Sequence, residues 1–94
     1  MALTRGSYGG YEFNRMVVLF SMIDGQREVS CAVSTSAMDG LEKAEQTKPD
    51  QREGQFMRLR DKIEKRAAEK IIAREFEGMS PGIILRGLDF RDER

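Results

Sequence analysis

The chain has 94 residues, 16 of them basic and 16 acidic, with no histidine and one cysteine. That length makes one domain, burying roughly 60–65% of the surface its unfolded chain exposes. The zero formal charge removes the global field that draws proteins to nucleic acid or anionic membranes, and a lone cysteine cannot form an internal disulfide.

Taken in chain order, residues 1–7 are polar and glycine-flanked and read as a weakly held segment. The first ten residues carry no apolar core of the kind a secretory leader needs. The longest apolar run, Met16 to Phe20, is far too short to span a bilayer. A cytoplasmic protein with no membrane association is the expectation. Tyr11-Glu12-Phe13 reads as a first strand, because a turn at Asn14-Arg15 sets Phe13 opposite Met16 and Tyr11 opposite Val18.

Two alternating runs then meet at Asp24-Gly25, a β-hairpin signal. With Asp24 and Gly25 as the central residues of a type I′ turn, Ile23 faces Gln26. Phe20 then lies opposite Val29, Val18 opposite Cys31 and Met16 opposite Val33, all on one apolar face. The other face pairs Ser21 with Glu28, Leu19 with Ser30 and Val17 with Ala32, and is mixed. The first face is therefore the one that meets a core.

After Val33 the period changes. Ser34-Thr35-Ser36 supplies hydroxyls suited to cap a helix, in which Ala37, Met38, Leu41 and Ala44 recur at helical spacing. Gly40 weakens that helix by about 0.8–1.0 kcal/mol relative to alanine, so two or three turns are expected. Residues 45–49 form the connection. Asp50 with Glu53 resembles a capping box that opens a second helix running to Glu77, with Gly78 as its stop and Pro81 beyond. Phe56, Leu59, Ile63 and Ala67 make one stripe along it. Ala68, Ile72 and Phe76 lie more than a third of a turn away and form a candidate partner surface, with Phe76 the one expected to go into the core instead. Residues 83–90 read as a final strand, and 91–94 as a charged tail. The architecture expected is a two-layer α+β domain, an antiparallel sheet in the order β-β-β-α-α-β packed against two helices.

The run Val18-x-Phe20, Gly25-x-x-x-Val29-x-Cys31-x-Val33-Ser34-x-x-Ala37-Met38, then Phe56, Arg60, Ile63-Glu64, Ala67 and Lys70, and finally Gly82-Ile83-Ile84-Leu85 with Asp89-Phe90, resembles the small bacterial proteins grouped as domain-of-unknown-function family 1488. The hairpin through Cys31 into Val33-Ser34 is the most specific part. The resemblance implies a compact β-β-β-α-α-β domain and brings no activity, so no functional residue is carried over.

Without histidine, Ser-His and Cys-His hydrolases and histidine metal sites are excluded. Cys31, placed mid-strand on the apolar face with no cationic partner, reads as an inert structural thiol. Ser34, Thr35 and Ser36 could meet an anion at a helix start, but a cap is the simpler role. Asp24 is a turn residue. Asp89, Asp92 and Glu93 are acidic but sit in a polar tail, so neither metal nor cofactor is expected.

One charged constellation stands out. Arg58, Lys62, Arg66, Lys70 and Arg74 recur every four residues, an arrangement that repels by a few tenths of a kcal/mol per neighbouring pair. Such a row can track phosphates, although Asp61, Glu64, Glu69 and Glu75 are interleaved with it. The expectation is a non-catalytic interaction module, homodimeric or meeting another protein through Ala68, Ile72 and Phe76; the alternative is a nucleic-acid module using the basic row.

Overall fold

In a computed structural model, which describes residues 3–44, 47–78 and 81–90, the chain forms four strands and two α-helices. β1 is Leu3–Glu12, β2 Val17–Asp24 and β3 Arg27–Ser34. Next come α1 (Thr35–Glu42), α2 (Arg52–Ile72) and β4 (Ile83–Leu85), with 3-10 turns at Pro49–Gln51 and Gly87–Phe90. The sheet runs in the order β1-β2-β3-β4. β1–β2 and β2–β3 pair antiparallel, but β4 lies parallel to β3. The wholly antiparallel sheet expected from the sequence is thus corrected to a mixed one. The two helices carry the chain back along the sheet before β4 begins, and such a crossover delivers a parallel strand.

The hairpin between β2 and β3 turns at Gly25-Gln26, one residue later than the sequence suggests. Asp24 pairs with Arg27, Met22 with Val29, Phe20 with Cys31 and Val18 with Val33. Gly25 has φ +67° and Gln26 does not share the positive sign, the pattern of a II′ turn rather than I′. Moving the centre by one residue shifts each partner by two. Because side chains alternate with period two, no residue changes face. Val18, Phe20, Met22, Val29, Cys31 and Val33 accordingly all reach the core.

Met16 does not. The β1–β2 connection is a four-residue turn, Phe13 to Met16, closed by the Met16 N–H to the Phe13 carbonyl at 3.2 Å. Met16 sits in the left-handed region at φ 54° and is exposed. Tyr11 does pair with Val18 as expected, yet β1 extends back to Leu3, which pairs with Asp24. The segment expected to be weakly held is therefore a paired strand from Leu3 onward. Two register irregularities, at Arg5/Tyr8 and Tyr8/Gly10, let it coil across β2. At Gly6 a Cβ would overlap the Ser21 hydroxyl and carbonyl, so only glycine allows this approach.

Both helices lie on the Val18/Cys31 face. Phe56 is the centre of the core, wholly buried, with its ring 5.3 Å from that of Tyr8 and 5.4 Å from that of Phe20. Leu59, Ile63, Ala67 and Ile71 continue the stripe. Ser34 caps α1 as expected, accepting the Ala37 N–H at 3.1 Å. The start of α2 differs: Gln51, not Glu53, reaches back, its Oε1 accepting the Lys48 N–H at 3.0 Å, and a 3-10 turn precedes the helix.

Both helices end in Schellman motifs built on basic residues. In α1 Lys43 (φ 52°) donates to Gly40 and Ala44 to Asp39; in α2 Arg74 (φ 60°) donates to Ile71 and Glu75 to Lys70. α2 therefore stops at Ile72, not Glu77, and Gly78 plays no part in ending it. Past Glu75 the chain returns to the sheet: the Glu77 N–H donates to the Gly82 carbonyl and the Gly82 N–H to that of Ser30. The final strand is likewise short. Asp89 Oδ2 accepts the Arg86 N–H at 2.7 Å and folds residues 87–90 into a turn that buries Phe90. Residues 91–94, the expected tail, lie outside the described residues.

Candidate interaction surface

The basic row is not a row of free cations. Arg58 makes a two-point pair with Glu42, at 2.8 and 3.0 Å. Arg66 donates to the Asp89 carbonyl at 2.8 Å and pairs with Glu69. Lys70 is buried, its Nζ 3.0 Å from the Ile84 carbonyl and 3.2 Å from Asp89 Oδ1. Lys62 and Arg74 alone are exposed and, among the described residues, unpaired, and Arg74 is already past the helix. Tertiary partners consume the charges that the four-residue spacing had set in line.

The apolar row is also dispersed. Ala68 packs half-buried against the core, whereas Ile72 is 63% exposed at the last position of α2. Phe76 lies beyond the helix end, 44% exposed, and lines a shallow groove with Arg27, Glu28, Ser30 and Gly82. The expectation that Phe76 enters the core is corrected, because the helix that would have carried it inward ends four residues earlier.

The surface the sequence did not single out is the other side of the sheet. Neither helix packs on it, since every helical core residue meets the Val18/Cys31 face. Across its middle, Leu19 pairs with Ala32 and Ala32 with Ile84, one apolar row spanning three strands in which Leu19 and Ile84 are partly exposed and Ala32, between them, is buried. Val17 flanks this row at one end and Ile23 at the other. Small residues fill the rest: Ser21, Ser30 and Ser34, with Gly6 and Gly9 of β1 lying against Ser21 and Leu19. The ends carry different groups. Arg15 and Arg86, paired with Glu12 at 2.6 Å and Glu77 at 2.8 Å, gather beside Val17, Ser34 and Ile84, while Glu28 stands at the opposite end, its Oε2 accepting the Ser21 hydroxyl at 2.8 Å. The mixed face of the hairpin was legible in the sequence; Ile84 beside Ala32 depends on the parallel pairing and was not.

The sheet edges, by contrast, are blunted. Lys70 occupies the Ile84 carbonyl on β4, and Arg60 donates to the Gly6 carbonyl in the irregular part of β1. Charge and bulges of this kind discourage a strand from adding at an edge.

Ion pairs hold the layers behind this face. Glu64 takes Arg5 of β1 at 2.9 Å and Arg60 of α2 at 2.8 Å. Asp39 of α1 gathers Arg52 and Gln55, both at 2.8 Å, and Thr47 at 2.9 Å onto a single oxygen, Oδ1. Burial alone would raise the Asp39 carboxyl, but these hydrogen bonds hold it below the ordinary aspartate value. The Arg58 and Arg86 hydrogen bonds lower Glu42 and Glu77 in the same sense.

Nucleophilic chemistry finds little here. Cys31 is wholly buried, and burial pushes its thiol up to about 12. Among the described residues no three acidic or thiol groups gather as a metal would require, and no helix is long and apolar enough to cross a membrane.

Three strands, a pair of helices on one face and a parallel fourth strand define a two-layer β3-α2-β domain with one sheet face that neither helix covers. A family model described as "Protein of unknown function (DUF1488)" matches residues 8–84, and the chain belongs to that family. It is similar to a crystal structure, at 1.60 Å, of a DUF1488-family protein of unknown function from Shewanella loihica PV-4, with TM-score 0.74 and 15% identity, covering 92% of this chain and 97% of that one. At that identity the likeness shows the fold alone. No curated protein matches.

Proposed function

We propose that this protein is a non-catalytic interaction module of the cytoplasm whose helix-free sheet face receives a second copy of the same chain. The observation that carries the reading is the apolar row Leu19–Ala32–Ile84 on a face no helix covers, where Leu19 and Ile84 stand partly exposed on either side of the buried Ala32. A second copy fits it for two reasons. The zero formal charge leaves no net repulsion between copies. The ends of the face also carry unlike groups, so a two-fold axis lying between the sheets and perpendicular to the strands sets the Arg15–Glu12 and Arg86–Glu77 pairs of each copy toward Glu28 of the other, where the arginines can share a further carboxylate. The absence of histidine and the buried Cys31 thiol support the non-catalytic part. The nucleic-acid alternative has less support, because Arg58, Arg66 and Lys70 are engaged within the chain and the zero formal charge supplies no field to draw a polyanion.

Sedimentation across a concentration series tests this. The expected result is a wild-type dimer, a folded monomer for Leu19→Lys/Ile84→Lys and for Glu28→Arg, and an unchanged dimer for Ile72→Lys. A wild-type chain that stays monomeric at every concentration, or a dimer broken by Ile72→Lys and not by the sheet-face variants, overturns it.

A further inference from the structure

We infer that the groove between α1, α2 and the Gly87–Phe90 turn is a binding site for a small amphipathic anion, a carboxylate head on a short aliphatic body. The groove encloses about 280 Å³. The buried side chains of Ala37 and Phe90, with half-buried Leu41, give it an apolar floor. Lys43 and Lys62 stand exposed at its rim, and neither has an ion-pair partner among the described residues.

The distribution of charge around α1 gives the groove its sign. Both carboxylates of the helix, Asp39 and Glu42, are drawn to its other side by Arg52 and Arg58. Among the described residues no acidic residue lines the groove. Two lysines therefore border an apolar floor with no carboxylate among the described residues to neutralise them, which suits a ligand with one anionic end and an apolar body.

Gly40 is a separate observation. It occupies the interior of α1, where glycine is the poorest residue short of proline, yet a Cβ there would meet nothing within 4 Å. Packing within the chain gives no reason for glycine at this position. A side chain would instead project into the groove that Gly40 lines.

The inference stands whether or not the chain dimerises. Titrating the isotope-labelled full chain with sodium hexanoate should shift the backbone amides of Gly40, Lys43 and Gly87 saturably. Hexanol and inorganic phosphate at the same concentrations should move them far less. Lys43→Gln/Lys62→Gln should weaken hexanoate binding by about tenfold or more with Tm unchanged. Gly40→Ala should raise Tm by about 4–8 °C while weakening binding, opposite effects that a purely structural glycine would not give. The proposal fails if hexanoate gives no saturable shift, if hexanol or phosphate serves equally well, or if the paired lysine variant binds with unchanged affinity.

Discussion

Removing the Asp39 carboxylate should be among the most damaging single changes in this chain. Arg52 is 5% exposed and Gln55 wholly buried, and both depend on Asp39 Oδ1 at 2.8 Å. Arg52 Nε already lacks a hydrogen-bond partner among the described residues, so the guanidinium has little left to lean on besides Gln55 Oε1 at 2.6 Å. Breaking a buried pair from one side typically costs about 3–5 kcal/mol, because a buried charge is left uncompensated. In a domain of this size each kcal/mol lowers Tm by about 4–8 °C, so Asp39→Ala should lose roughly 12 °C or more in a thermal melt monitored by circular dichroism. Replacing both partners removes the orphan, and Asp39→Leu/Arg52→Met should recover most of the loss. The pair also predicts an acid limb. Folding lowers the Asp39 pKa, so its contribution is complete above the unfolded aspartate value of about 3.9 and is lost as pH falls through the folded value. Asp39→Ala should flatten that part of the stability curve. A loss of only about 1 kcal/mol or less, the worth of an exposed pair, would refute the argument, as would a double variant no better than the single.

The same geometry gives three further expected outcomes. Cys31, wholly buried and with its thiol pushed up to about 12, should react with a thiol reagent only as fast as the native state opens, becoming prompt in denaturant; prompt native labelling at neutral pH contradicts its placement. Arg74→Gly should stabilise the fold by about 1 kcal/mol in urea titration, since a non-glycine residue holds the left-handed position that ends α2, and a destabilised variant would show that the arginine side chain outweighs its backbone cost. Ile71→Ala should cost about 2–5 kcal/mol while Ile72→Ala stays within about 0.5 kcal/mol, because one is 4% and the other 63% exposed; equal losses would mean that Ile72 is covered.

Local chemistry was enough to choose the faces of the hairpin, the Ser34 cap and the burial of Cys31. Alternation has period two, so even with the turn centred one residue off, every partner moved by two and Val18, Phe20, Val29, Cys31 and Val33 kept their side. Helix ends were less legible, because the sequence signal for a stop is glycine and here Lys43 and Arg74 adopt the left-handed conformation instead. The candidate sites were the least legible. Arg58, Lys62, Arg66, Lys70 and Arg74 are evenly spaced in sequence, but whether a cation is free depends on residues such as Glu42, Glu77 and Asp89, from other parts of the chain. Ala68, Ile72 and Phe76 scattered for the same reason, once the chain turned back at Arg74 to reach the sheet. Which face stays free of helices was decided only when both helices packed on one side and β4 came in parallel, setting Ile84 beside Ala32. A one-dimensional pattern records what each residue offers its neighbours within a turn or a strand; which distant group accepts the offer is fixed only when the layers close.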